Sequence, residues 1–426
     1  MERILIVSVG GSPAPIINAI KFYRPDLVYF FCSSGPKGSA VAVDGPGDPC
    51  GDRRKSRCPK CGHEYFLGDP KGKAIVVQTG LREDQYEIVG VEDPDDLNGC
   101  YAELTALSER IRESHPDAQI IANYTGGTKT MSVSMALVGT MTQEWDLSLN
   151  KGPRVDIIKV KTGDTPVVVD KWRIFGERQL GSAAEALRNY DYALAEAMVS
   201  ESLLHPLEPG FEKKLLRIRQ VCTGFNCWDR FDHEKALELL QPYGRDFSPY
   251  LITLKRILQP TKGTGYERVS DLLGNAERRA VQKRYDDAVA RLYRAMELFA
   301  QIRLEKTKGY TLGKLNVDQL DEPLRPEYSK YAKEGGKLWL GLREDYELLH
   351  KLGDPLGDAF KKKEEEILNA LSYRNASIFA HGITPLGEEE YRRVSDRLKG
   401  FILEVSGKIG LNLEPSPFPR EKILKG

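Results

Sequence analysis

Over the first 170 residues, fully apolar runs alternate with segments whose apolar positions recur every three or four residues. Runs such as ILIV at 4–7 and LVYFF at 27–31 are apolar at every position, so both faces of those strands need cover. A parallel sheet with helices on both sides provides it. The pattern predicts strands at 4–9, 27–32, 74–78, 119–124, 155–160 and 167–170, with helices at 14–23, 101–114 and 128–142. The expected fold of residues 1–172 is therefore an α/β, Rossmann-like domain with a parallel sheet. Residues 33–73, rich in Gly, Pro and basic side chains, interrupt the rhythm and read as an insertion.

From Lys171 onward the strand pattern stops and helical spacing takes over. LGSAAEALRNYDYALAEAMV resembles a helix pair from a repeat array, although a single copy does not establish a repeat. TKGTGYE at 261–267 reads as a linker. A single long helix is expected over 275–308, with Ala288, Leu292, Ala295, Phe299 and Ile302 forming an amphipathic stripe. Lys361, Lys362 and Lys363 followed by Glu364, Glu365 and Glu366 read as a solvated helix face with internal ion pairs. Residues 412–426, with three prolines in LEPSPFP, read as a loosely ordered tail. The expected layout is an all-α connector at 173–265 and a second all-α domain at 266–426.

Charge changes the picture only locally. The 426 residues hold 62 Lys plus Arg against 62 Asp plus Glu, which excludes a uniformly basic nucleic-acid coat and an acidic disordered chain. Any nucleic-acid surface must be a patch, and two candidates stand out. Residues 275–294 carry Arg278, Arg279, Lys283, Arg284, Arg291 and Arg294 against Glu277, Asp286 and Asp287, and residues 52–60 carry five basic side chains against one acidic. No stretch reaches 18 apolar residues and the first residues read as a strand rather than a leader, so no membrane is expected and a cytoplasmic location is.

Seven cysteines in a chain this long do not form a disulfide scaffold. Cys50, Cys58 and Cys61 cluster in DPCGDRRKSRCPKCGHEY, where CPKCG is the tight knuckle that turns two thiolates toward one tetrahedral ion. With His63 as fourth ligand, or Cys32 at the end of its strand, the set would close a structural zinc site. A reduced, metal-free loop is the alternative. No Glu is arranged to activate a water, so a catalytic zinc is not expected.

Three motifs could carry chemistry. SVGGSPAP at 8–15 follows the first strand, where Gly10, Gly11 and Ser12 let backbone amides approach a phosphate or base. It lacks the G-x-G-x-x-G spacing, and Pro13 and Pro15 remove amides, so a nicotinamide site is not expected. NYTGGTKTMS at 123–132 sits at another strand-to-helix junction, and Thr125, Gly126, Gly127 and Thr128 form a polar nest beside Lys129 that suits an anionic ligand. Walker spacing is absent, and a plain capping turn is the alternative. Both turns lie at carboxyl ends of strands, where open α/β sheets bind ligands.

The third motif, YRNASIFAHG at 373–382, places Arg374 and His381 seven positions apart. On one continuous helix that is about two turns, ~10 Å along the axis. A two-fold dimer could bring two Arg and two His into one cleft. His can then move a proton while Arg holds phosphate oxygens, which allows metal-free attack by a ribose 2′-hydroxyl, with Asn375 in support. Arg294 and Glu297, on the preceding helix, read as a structural ion pair or a second layer behind that site.

Together these features resemble the CARF–HEPN ribonucleases that accompany type III CRISPR systems. SVGGSPAP and NYTGGTKTMS match the sensor, RNASIFAH matches the HEPN signature, and YDDAVARLYRAMELFAQ matches the helix that precedes it. The resemblance implies a CARF sensor at 1–172 with a zinc-knuckle-like insertion at 33–73, a helical connector at 173–265 and a HEPN domain at 266–426. It further implies a homodimer whose sensor binds a cyclic oligoadenylate, a tetra- or hexa-adenylate ring, through Gly10, Gly11, Ser12 and Thr125 to Lys129. Binding would switch on cleavage of single-stranded RNA by Arg374, His381 and Asn375 in antiviral defence. Some sensors of this kind also slowly cleave their activator. Two other readings stay open: a non-catalytic sensor that recruits a partner through its helical half, and a ligand-sensing transcription regulator, for which no compact helix-turn-helix with a basic recognition helix is evident.

Overall fold

The computed structural model describes the chain except residues 36–37, 52–54, 58, 63, 67–71, 153, 157–158, 161–163, 260–261, 381 and 426. It divides into two compact units, Met1–Glu177 and Arg178–Gly426.

In the first unit, strands β1 (Arg3–Ser8), β2 (Leu27–Ser33), β3 (Tyr86–Val91), β4 (Gln119–Asn123), β5 (Trp145–Lys151) and β6 (Thr165–Val168) form one sheet in the order β6-β5-β4-β1-β2-β3. Every pairing is parallel except β6 with β5. Central strand β1 shows why its run is apolar throughout. Ile4 and Ile6 pack toward helices α2 (Leu97–Ser114) and α3 (Lys129–Met141), while Leu5 and Val7 pack toward α1 (Ala14–Tyr23). The expected Rossmann-like parallel sheet is therefore present, with helices on both faces. Val43 and Cys50, inside the segment read as an insertion, are buried in the same core layer as α1.

Several boundaries differ from the sequence reading. Residues 74–78 are not a strand: Ile75–Thr79 is a short helix closed by Gly80 at φ +73°. A short apolar run fits a buried helical turn as well as a strand, and periodicity cannot separate them. The sheet instead uses YEIVGV and WDLSLNK, whose polar positions hid them. At 155–160 the described residues form a small hairpin of Arg154–Asp156 with Lys159–Val160, outside the main sheet.

Helix α4 (Trp172–Arg188) leads into the second unit, which continues with α5 (Tyr192–Ser202), α6 (Pro209–Asp229), α7 (His233–Leu240) and α8 (Gly244–Leu258) around one apolar core. A second core is built by α9 (Glu267–Val281), α10 (Tyr285–Lys308), α11 (Leu342–Lys351), α12 (Pro355–Ala376) and α13 (Glu388–Lys408). The long helix expected over 275–308 is two helices, broken at Lys283, which takes a left-handed φ of +59°. The stripe on α10 is as expected, with Ala288, Leu292, Ala295 and Phe299 fully buried.

The basic stretch beside that break is a surface patch only in part, with Lys283, Arg284 and Arg294 exposed. Arg278 and Arg279 are 3% and 8% exposed and both bind the buried Asp229 carboxylate, Arg278 at 2.6 Å. Asp287 forms ion pairs with Arg284 and Arg291, each at 2.9 Å, and with Arg279 at 3.5 Å. Arg278 and Arg279 are consumed in a buried network, so the expected RNA-facing role is withdrawn for those two. The other basic stretch, 52–60, lies partly outside the described residues.

The C-terminal tail is also ordered rather than loose. Phe418 is 6% exposed, with its ring 4.7 Å from that of Trp228 and under the Arg278 guanidinium at 3.6 Å. Tyr192 and Tyr250 donate to the carbonyls of Pro419 and Pro417, and Ile423 is fully buried. The Lys361–Glu366 face is solvated, but most of its pairs reach neighbouring helices, as in Arg343–Glu364, Lys363–Glu404 and Arg397–Glu366.

Candidate functional site

In the first unit the two glycine turns meet. β1 has β2 on one side and β4 on the other, so the chain direction of the crossovers reverses there, the place where parallel α/β sheets open a crevice. The turn after β1 carries Gly10, Gly11 and Ser12, and the turn after β4 carries Thr125 to Thr128. A Cβ on Gly10 would stand 2.7 Å from the Gly127 nitrogen, and one on Gly126 would stand 2.2 Å from the Ser8 carbonyl oxygen. Only bare backbone allows that approach. The contact is fixed by the Ser8 and Ser132 hydroxyls, which donate to the Gly126 carbonyl at 2.7 and 2.9 Å.

Thr128 caps α3, its hydroxyl accepting from Met131 N at 3.2 Å and donating to the Pro94 carbonyl at 2.6 Å. This directs the positive end of the α3 dipole, with exposed Lys129 at the first helical position, to the same rim as exposed Gly11, Ser12 and Thr125. The eight predicted ligand residues therefore lie on two adjoining turns with anion-binding character.

Beneath them lies a polar network that sequence reading missed. Asn150, 5% exposed, donates from its side chain to the Pro15 carbonyl and to Asp164, each at 2.8 Å, and accepts from Asn123 at 2.9 Å. Its backbone N donates to the Thr125 hydroxyl at 2.8 Å. Asn18 also bonds to Asp164. Asn150 thus ties the Thr125 turn to the start of α1. The available signal was an Asn inside the strand run WDLSLNK and another inside the apolar α1 run APIINAI.

The cysteine knuckle gains no support. Cys58 and His63 lie outside the described residues, Cys61 is exposed, and buried Cys50 directs its thiol to the Ala42 carbonyl at 3.4 Å. Cys32 is fully buried in the sheet, where burial pushes its thiol up to about 12, the reverse of what a thiolate ligand needs. Among the described residues, no three His, Cys, Asp or Glu gather to hold a metal.

In the helical unit, Arg374 stands one turn from the end of α12. The helix stops at Ala376: Ser377 takes an extended backbone, and its N–H and hydroxyl donate to the Arg374 carbonyl at 3.0 and 2.8 Å. The expectation that Arg374 and His381 share one continuous helix is therefore corrected, and the two-turn spacing does not apply. His381 itself lies outside the described residues. Beyond it, Leu386 N reaches the Asp286 carboxylate of α10 at 3.3 Å. Ile378, Phe379 and Ile383 are exposed on the motif segment.

The Arg374 guanidinium lies 4.3 Å above the centre of the Tyr293 ring, from α10. Its Nη1 reaches the Asn375 side-chain oxygen at 3.4 Å, and its Nε is buried with no partner among the described residues. Among the described residues no carboxylate pairs with it. Arg294 and Glu297 form the ion pair read from the sequence, at 3.2 Å. The Tyr293 phenol is pushed up to about 12, first by burial and then by the Glu297 carboxylate. Nearby on α11, burial raises the Asp345 carboxyl to about 8.

Residues 261–403 match the Csm6 HEPN domain family. Among solved structures, Enterococcus italicus Csm6 bound to cyclic hexa-2'-fluoro-hexa-dAMP matches this chain with a TM-score of 0.57 and 14% sequence identity, over 96% of this chain and 95% of that one. No curated protein matches. The chain thus has the fold of that Csm6 protein and its residues 261–403 match the Csm6 HEPN family, which supports the resemblance to the CARF–HEPN ribonucleases of type III CRISPR systems drawn from the motifs.

Proposed function

We propose that the protein is a CRISPR-associated endoribonuclease of antiviral defence, a homodimer that cleaves single-stranded RNA without metal and is switched on by a cyclic oligoadenylate. The observation that carries this reading is the Csm6 HEPN match over a segment whose motif arginine pairs with no carboxylate among the described residues. The deeply buried Arg278 and Arg279, by contrast, are neutralised by Asp229. Arg374 is instead free to take phosphate oxygens. The motif assigns His381 the proton transfer and Asn375 a supporting contact.

In this mechanism the ribose 2′-oxygen attacks the adjacent phosphorus as its proton is taken up. The P–O5′ bond breaks and the leaving oxygen receives a proton, giving a 2′,3′-cyclic phosphate and a 5′-hydroxyl. Arg374 stabilises the charge that builds on the non-bridging oxygens. The exposed Ile378, Phe379 and Ile383 beside the motif favour a second copy packing there, which would double the Arg and His in one cleft.

The activator site in this reading is the pair of turns at Gly10–Ser12 and Thr125–Lys129, where close backbone and a helix N-terminus suit a phosphate-bearing ring. The Enterococcus italicus protein was solved with a ring of that class. Switching requires the ring to bind the active arrangement more tightly than the resting one. Labelled single-stranded RNA incubated with cyclic tetra- or hexa-adenylate, in excess EDTA, tests the proposal. Activator-dependent fragments ending in cyclic phosphate are expected. Tight activator binding with no cleavage would favour the partner-recruiting sensor instead, and loss of the added ring over hours would assign slow activator cleavage to the sensor.

A further inference from the structure

Arginines that bind substrate phosphate need two properties that oppose each other. They must be held in one orientation, yet the usual holder, a carboxylate, neutralises the charge that the phosphate requires. Around Arg374 the structure separates the two. The Tyr293 ring lies under the guanidinium at 4.3 Å and fixes its plane by cation–π attraction, a contact that leaves the N–H edge and the net charge available. The nearest turn of the same helix does carry a carboxylate, Glu297, but that group is occupied. Arg294 donates to it at 3.2 Å. The buried Arg374 Nε has no partner among the described residues and is a donor open to an oxygen from a ligand.

We infer that Tyr293 is a positioning residue for RNA cleavage, presenting Arg374 to the scissile phosphate through its ring face while Arg294 holds Glu297 aside. This rests on the ribonuclease reading above. It assigns the ring, rather than the hydroxyl, the larger effect, because the ring alone touches the guanidinium.

The test compares full-length Y293F, Y293M and wild type, each saturated with cyclic hexa-adenylate or cyclic tetra-adenylate, for kcat and KM on a labelled single-stranded RNA. Melting midpoints are measured in parallel, and assays are run well below the lowest. Y293F keeps the ring and is expected within about twofold of wild type. Y293M fills the space without a π face and is expected to lose about tenfold in kcat/KM, the size of a partly desolvated cation–π contact. A positional role further predicts that the loss is largest at low salt, where Arg374 carries most of the phosphate attraction, whereas a folding defect would not follow salt in this way. Should Y293M fail to fold, Y293L takes its place.

Y293M cleaving within twofold of wild type would overturn the inference, as would Y293F losing as much as Y293M. Wild-type protein without activator-dependent cleavage would instead sink the ribonuclease reading itself, so the two failures are distinguishable.

Discussion

Replacing Gly126 by Ala separates the two turns of the sensor with a single methyl. The new Cβ would lie 2.2 Å from the Ser8 carbonyl oxygen, whereas a carbon and an oxygen in ordinary contact stand at about 3.3 Å. The turn must therefore retreat by about 1 Å. Both hydroxyl donors to the Gly126 carbonyl, Ser8 at 2.7 Å and Ser132 at 2.9 Å, are then out of range. At about 1 kcal/mol for each hydrogen bond, the unit loses ~2 kcal/mol, or roughly 4–8 °C in melting midpoint for a unit of this size. If the activator needs the native turns, binding must restore them, and the same ~2 kcal/mol weakens affinity by roughly 30-fold.

Gly11→Ala is the internal control, because a Cβ there meets nothing within 4 Å. Its melting midpoint should match wild type, while its affinity falls if the ring approaches the backbone at Gly11. Scanning fluorimetry and calorimetric titration with cyclic tetra- and hexa-adenylate give both quantities. Gly126→Ala that melts lower yet binds within threefold of wild type would refute the assignment of these turns to the ligand.

Other outcomes follow from the second unit and from the edge of the first. Asp345 has its carboxyl raised by burial from an ordinary 3.8 to about 8, so the native state keeps a proton that the unfolded state releases across that window. Stability from this group is intact below the lower value and is lost as pH rises toward 8 and above, so Asp345→Asn should gain in melting midpoint over wild type at pH 8.5 but not at pH 4; equal differences at both pH values would contradict it. Phe418→Ala removes the ring that the tail inserts between Trp228 and Arg278 and should destabilise by roughly 3–5 kcal/mol, read by thermal melting, with the tail becoming protease-sensitive. Lys171 donates to the carbonyls of Gly139, Thr142, Gln143 and Trp145 at the end of α3, and Lys171→Met should cost about 2–4 kcal/mol in the same assay at neutral pH.

How far the sequence was legible follows from how local each signal is. β1 and β2 could be read because strands buried on both faces are apolar at every position, and the glycine turns because they punctuate those strands. β3 and β5 escaped because an edge strand and a strand carrying the Asn150 network mix polar residues into the run. The break at Lys283 has no Gly or Pro to announce it; it is stabilised by Asp287 and three arginines that close the network around the turn. Arg278 and Arg279 were visible as charges, but their partner Asp229 is some fifty residues away, and only the fold shows that they are neutralised. The tail looked loose because of its prolines, although Leu413, Phe418 and Ile423 are each buried. In the HEPN motif segment the spacing gave Arg374, while the end of α12 at Ala376 and the ring of Tyr293 beneath the guanidinium depend on packing that no spacing rule encodes.

The most direct test of the central claim is activator-dependent cleavage of a labelled single-stranded RNA by wild type, His381→Ala and Arg374→Ala, all in excess EDTA and all shown to bind the cyclic oligoadenylate. Cleavage by wild type alone is the expected result. Cleavage that persists in His381→Ala and Arg374→Ala, or that vanishes from wild type when metal is chelated, would contradict it.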